Sequence, residues 1–131
     1  MKKAFLLIAM FAISTVAIAQ TTTTPPLKDR IIGKWMYKGI EEFGVLTPPD
    51  STQKNDYVEI TADGNYKMMM SGAEESGGYK LVDAYKQLYI TNTTSKKTKM
   101  FTIKSSLNGK LVLDYQTPEL IHHKYTYEKV N

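Results

Sequence analysis

The side chains of this chain that are able to do chemistry stand next to one another, and adjacency limits what they can do. His122 and His123 are its two histidines. Neighbouring residues of a strand point to opposite faces. Both imidazoles therefore reach one metal ion only if the backbone turns and a rim loop brings in a carboxylate such as Glu74 or Glu75. Solvated histidines at a rim are the simpler reading. The acid pairs Glu41-Glu42 and Glu74-Glu75 meet the same obstacle and read as solvated carboxylates rather than a general acid with its base. Cysteine is absent, no Gly-x-Ser-x-Gly elbow occurs, and no Gly-rich loop follows a strand to cradle a phosphate. No catalytic residue, metal site or cofactor is expected, and the chain reads as non-enzymatic. An enzyme would need a carboxylate or histidine projecting inward beside a pocket, which the strand alternation does not supply.

Softer chemistry remains in the methionines and tyrosines. Met68 and Met70, on one face of a strand, would line a cavity with adaptable thioethers or simply fill a core. Tyr37, Tyr66, Tyr79, Tyr125 and Tyr127 would set hydroxyls among apolar walls and orient a ligand's polar end. Their rings also occupy space.

The elements that position these residues follow a period of two almost everywhere. Candidate strands are Lys34–Glu42, Asp56–Thr61, Tyr66–Met70, Gly78–Asp83, Lys86–Thr91, Lys97–Lys104, Lys110–Tyr115 and His123–Val130, with one helical turn ahead of them in Leu27–Ile32. Short antiparallel strands joined by turns imply a sandwich or barrel. Trp35, Tyr37, Val58, Ile60, Tyr66, Met68, Met70, Tyr79, Leu81, Leu88, Ile90, Phe101, Ile103, Leu111, Leu113, Tyr125 and Tyr127 share the inward parity, with charged residues on the other. Met36, Ile40, Met69, Val82, Tyr89, Met100 and Val112 break the division as outward apolar residues. Connections alternate in length. Phe43–Asn55, Ser71–Gly77, Asn92–Lys96 and Gln116–His122 read as long loops, and Ala62–Asn65, Ala84–Tyr85 and Ser105–Gly109 as tight turns. In an up-and-down meander the long loops share one rim, giving a cup with an elaborated mouth.

Met1–Ala19 has the three parts of an export signal. Lys2 and Lys3 precede the apolar run Ala4–Ile13, and Ala17-Ile18-Ala19 offers small residues at a cleavage site. The run is too short for the roughly 30 Å of a bilayer core, which takes about 20 residues. Gln20 stands where a lipoprotein would carry Cys, so release into the periplasm or medium without a membrane anchor is expected. Residues 20–26 (QTTTTPP) read as a tether, and 27–131 as one domain. The 17 basic residues barely outnumber the 13 acidic ones. Loss of Lys2 and Lys3 lowers the net charge from +4 to +2, which is no nucleic-acid footprint.

Gly33-Lys34-Trp35 after a short helical turn resembles the Gly-x-Trp motif of the lipocalin family. Ile60-Thr61-Ala62-Asp63-Gly64-Asn65-Tyr66 is similar to a hairpin of the lipocalin-like domains of Bacteroidetes secreted proteins. Lys110–Leu113 and Tyr125–Val130 resemble the last two strands. The resemblance covers Leu27 to Val130 and implies an all-β, eight-stranded antiparallel up-and-down β-barrel that binds a small, mostly apolar ligand. It also implies that Gly33, Trp35 and Lys129 form a structural floor, with Lys129 across the Trp35 ring where the family more often has Arg. The expected ligand-lining set is Tyr37, Ile60, Tyr66, Met68, Met70, Tyr79, Leu88, Ile90, Phe101 and Tyr125, around a small hydrophobic or amphipathic molecule. The alternative is a cell-envelope interaction module with a filled barrel, contacting a protein partner through rim residues Phe43, Val45, Leu46, Pro48 and Pro49.

Overall fold

A computed structural model describes residues 23–131; the leader assigned to Met1–Ala19 and the first residues of the tether lie outside the described residues. One helical turn, α1 (Leu27–Arg30), precedes nine strands: β1 (Gly33–Glu42), β2 (Val45–Thr47), β3 (Tyr57–Ile60), β4 (Asn65–Met70), β5 (Ala73–Val82), β6 (Gln87–Asn92), β7 (Thr98–Ser105), β8 (Lys110–Gln116) and β9 (His122–Lys129). Each of β3 to β8 pairs antiparallel with the next, β1 pairs with β3, and β1 returns to β9 from Trp35↔Lys129 to Glu41↔Lys124. The result is a closed eight-stranded barrel plus one added strand, β2, which lies against the upper part of β1.

Closure follows from the alternation in the sequence. All seventeen residues of the inward parity are buried or packed against the core. The lower barrel is filled, since Trp35, Val58, Ile60, Met68, Leu88, Phe101, Leu111 and Leu113 are at most 1% exposed. Helix α1 plugs this end through Leu27 and Ile31, and Arg30 Nε donates to Ser106 Oγ at 3.0 Å, tying the plug to the β7–β8 turn. Trp35 Nε1 donates to the Ile31 carbonyl at 3.0 Å, which satisfies the one polar atom of the buried indole. The Lys129 ammonium sits 5.3 Å from the Trp35 ring centroid. A Cβ on Gly33 would come within 3.1 Å of Lys129 Cε, so glycine there leaves room for the lysine stem. Lys129 nevertheless stays exposed, lying over the outside of the floor rather than inside it.

Several expectations are corrected. The β1–β9 register slips between Tyr37 and Gly39, and this bulge reverses the parity above it. Ile40, expected outside, pairs with inward Tyr125 and faces the interior. Gly39 has φ +138°, and a Cβ there would run into the Thr47 carbonyl, so only glycine lets β2 lie this close. The expected loop Phe43–Asn55 instead folds back at Phe43-Gly44 into the β1–β2 hairpin. The expected loop Ser71–Gly77 is mostly strand. Ser71 and Gly72, both with positive φ, make a two-residue turn, and β5 begins at Ala73. The rim is less elaborate than the loop lengths suggested. Val112 is buried on the outer face, beside buried Asp114 and Thr126.

Candidate functional site

Above the filled core the barrel opens toward the β1–β3, β4–β5, β6–β7 and β8–β9 connections. The interior there is ringed by aromatic side chains in tilted or edge contact. Tyr37 lies 5.6 Å from Tyr127 and 6.3 Å from Tyr125, and Phe101 lies 5.6 Å from Tyr115 and 6.4 Å from Tyr125, centroid to centroid. Two cavities of about 220 Å³ each lie among them. One is bounded by Tyr37, Ile40, Pro48, Met70 and Tyr125 with Asp56 and His123. The other is bounded by Met70, Phe101, Tyr115, Tyr125 and Lys99. Met70 and Tyr125 belong to both, so the two form one shallow cup of about the size of a small ligand pocket.

The residues anticipated as ligand lining divide between cup and core. Tyr37, Met70, Phe101 and Tyr125 border the cup. Tyr66 and Ile90 border a second cavity beside it, together with Glu75, Asn92 and Lys99. Ile60, Met68 and Leu88 lie in the filled core. Tyr79 Oη donates to the Thr61 carbonyl at 2.7 Å, so it braces the Thr61–Gly64 turn at the closed end.

The sequence reading missed the polar groups of the mouth. Glu75 pairs with inward Met68, Lys99 with inward Ile90, and Asn92 with Gly77 opposite Tyr66, so all three face inward. Glu75 accepts from Asn92 Nδ2 at 2.8 Å and lies 3.5 Å from the Lys99 ammonium. Once β5 is drawn from Ala73 rather than Gly78, the period of two already turns Glu75 inward. That start was obscured by Ser76 and Gly77, which read as loop, and by Gly78, which read as the first residue of the strand. Asp56 is 4% exposed and accepts from the backbone N–H groups of Ser71 at 2.7 Å and Gly72 at 3.2 Å. It closes the β4–β5 turn onto β3.

The histidines part as alternation requires. His122 Nδ1 meets the buried Asp114 carboxylate at 3.0 Å on the outer face, whereas His123 Nδ1 meets Glu42 at 3.0 Å at the mouth. The acid pair at Glu74-Glu75 also splits, with Glu74 turned out to Lys67 and Tyr57.

Burial pushes the hydroxyls of Tyr37 and Tyr66 up to about 12, and that of Tyr127 higher still. The folded protein thus holds these protons where the unfolded chain, ionising near about 10, has lost them. Stability is full below the unfolded value and falls as pH rises from about 10 through 12. Urea midpoints measured across that interval are expected to drop in step with tyrosinate absorbance. A flat profile would contradict the burial of these rings.

Neither a scan against protein-family models nor a search of curated proteins finds a match to this chain.

Proposed function

We propose that this protein is an exported, non-enzymatic lipocalin-like binder that holds a small hydrophobic or amphipathic molecule in the cup at the barrel mouth. The observation that carries the reading is the contrast between the two ends. The lower barrel is closed by α1 and packed solid, while the same inward parity at the upper end borders open space. Apolar rings and thioether would take the ligand's hydrocarbon part, at about 25 cal/mol per Å² buried, and tyrosine hydroxyls would meet its polar end. The volumes favour a short chain or a single ring system over a large ligand. Export rests on the signal-like Met1–Ala19 segment, and release without an anchor on Gln20 in place of Cys.

The direct test is calorimetric titration with 1-octanol as a neutral amphiphile. Binding is expected, and Met70→Lys, which sets a charge between the two halves of the cup, should weaken it about tenfold or more. Undiminished binding by that variant would place the site elsewhere. A second reading has its own observation: Phe43, Val45, Leu46, Leu120 and Ile121 are all exposed on the mouth connections. Apolar side chains gathered at one rim suit contact with an envelope protein, with the barrel as scaffold.

A further inference from the structure

A cavity of about 360 Å³, bordered by Tyr66, Glu75, Asn92, Ser95, Lys97 and Lys99, adjoins the cup, with Lys99 in the shared wall. Its acceptors are already engaged. The Glu75 carboxylate takes the Asn92 Nδ2 hydrogen bond and faces the Lys99 ammonium. Asn92 Oδ1 accepts from the N–H groups of Thr94 and Ser95 at 2.8 and 3.0 Å. Ser95 Oγ accepts from the Lys97 N–H at 3.3 Å.

The groups left over are donors and positive charge. Lys97 forms no ion pair among the described residues. Lys99 offers three N–H donors to one carboxylate. Tyr66 is 3% exposed and its buried hydroxyl has no hydrogen-bond partner among the described residues, a condition that is unfavourable until something accepts from it. Burial and the nearby Glu75 charge keep that hydroxyl protonated, hence a donor. Lys97 is exposed and Lys99 partly so, and their flexible stems bound the cavity and can yield to an occupant. Two ammonium groups against one paired carboxylate leave a single surplus positive charge.

We propose that this cavity is an anion subsite, in which Lys99, Lys97 and the Tyr66 hydroxyl hold the carboxylate end of a ligand whose apolar part lies in the cup. The inference rests on the cup being a ligand site. A monoanionic carboxylate matches both the surplus charge and the donor set, and a cationic head group would meet two ammonium groups against a single carboxylate that already faces one of them.

The test compares octanoate, 1-octanol and octyltrimethylammonium, each titrated into the protein by calorimetry. Octanoate is expected to bind about tenfold more tightly than octanol, the step that one charge-assisted contact of about 1.4 kcal/mol provides. The ammonium compound should bind more weakly than either. Lys99→Met and Tyr66→Phe should each move the octanoate-to-octanol ratio toward one. Tyr66→Phe should do so without loss of thermal stability, because the hydroxyl it removes has no hydrogen-bond partner among the described residues. Lys97→Met, on an exposed side chain, is the second cation variant should Lys99→Met fail to fold. Equal binding of octanoate and octanol, a preference for the ammonium compound, or a ratio unmoved by these variants overturns the subsite and leaves the cup standing. Failure of all three compounds to bind removes the cup and the subsite together.

Discussion

Trp35→Ala is expected to destabilise the protein by about 3–5 kcal/mol, the range for deleting a large buried aromatic side chain. Trp35 is 1% exposed and sits where β1, β3 and β9 meet above α1. It donates to the Ile31 carbonyl, so its loss leaves a cavity in a closed end and an unpaired carbonyl beside it. Two controls separate the contributions. Trp35→Phe keeps most of the ring volume and loses the indole N–H, at about 1–2 kcal/mol. Lys129→Met removes only the ammonium over the ring, and as an exposed cation–π contact that is about 0.5–1 kcal/mol. Urea unfolding gives all three values. A Trp35→Ala loss below about 1 kcal/mol would mean the floor is not packed as described.

Asp56→Ala is expected to cost about 2–4 kcal/mol, since a buried carboxylate accepting two backbone N–H groups contributes through charge-assisted bonds. The carboxylate holds Ser71 and Gly72, the turn between β4 and β5, while the Asp56 backbone accepts from Tyr37 N–H at 3.0 Å. One residue thereby links β1, β3 and the β4–β5 hairpin. Amide exchange at Ser71 and Gly72 should accelerate strongly in the variant, with smaller changes at the closed end. Asp56→Asn should recover only part of the loss, because an amide offers one acceptor where the carboxylate offers two. Unchanged exchange at those two amides would show that the turn is held by something else.

The barrel was legible because alternation is a physical signature of a sheet with one buried face, and the inward set from Trp35 to Tyr127 follows it strand by strand. Gly33, Trp35 and Lys129 fall together at the floor as the order of strands requires. The mouth was less legible for two local reasons. The bulge at Gly39 turned Ile40 inward, and a register slip leaves no mark on composition. The start of β5 was hidden by Ser76-Gly77-Gly78, which carry loop chemistry inside a strand, so Glu75 read as a rim acid. Among the proposed ligand residues, parity could not distinguish Ile60, Met68 and Leu88 in the core from Met70 and Tyr125 at the cup. Depth along the barrel separates them, and depth depends on where each turn falls.

Whether the cup at the mouth takes a small amphipathic ligand is decided by amide and methyl NMR of the protein titrated with octanoate. Saturable shifts are expected at Tyr37, Ile40, Met70, Phe101, Tyr115 and Tyr125, with the floor around Trp35 and the exposed rim at Phe43, Val45, Leu120 and Ile121 unmoved. Shifts confined to the rim residues, or none at any concentration, would contradict it.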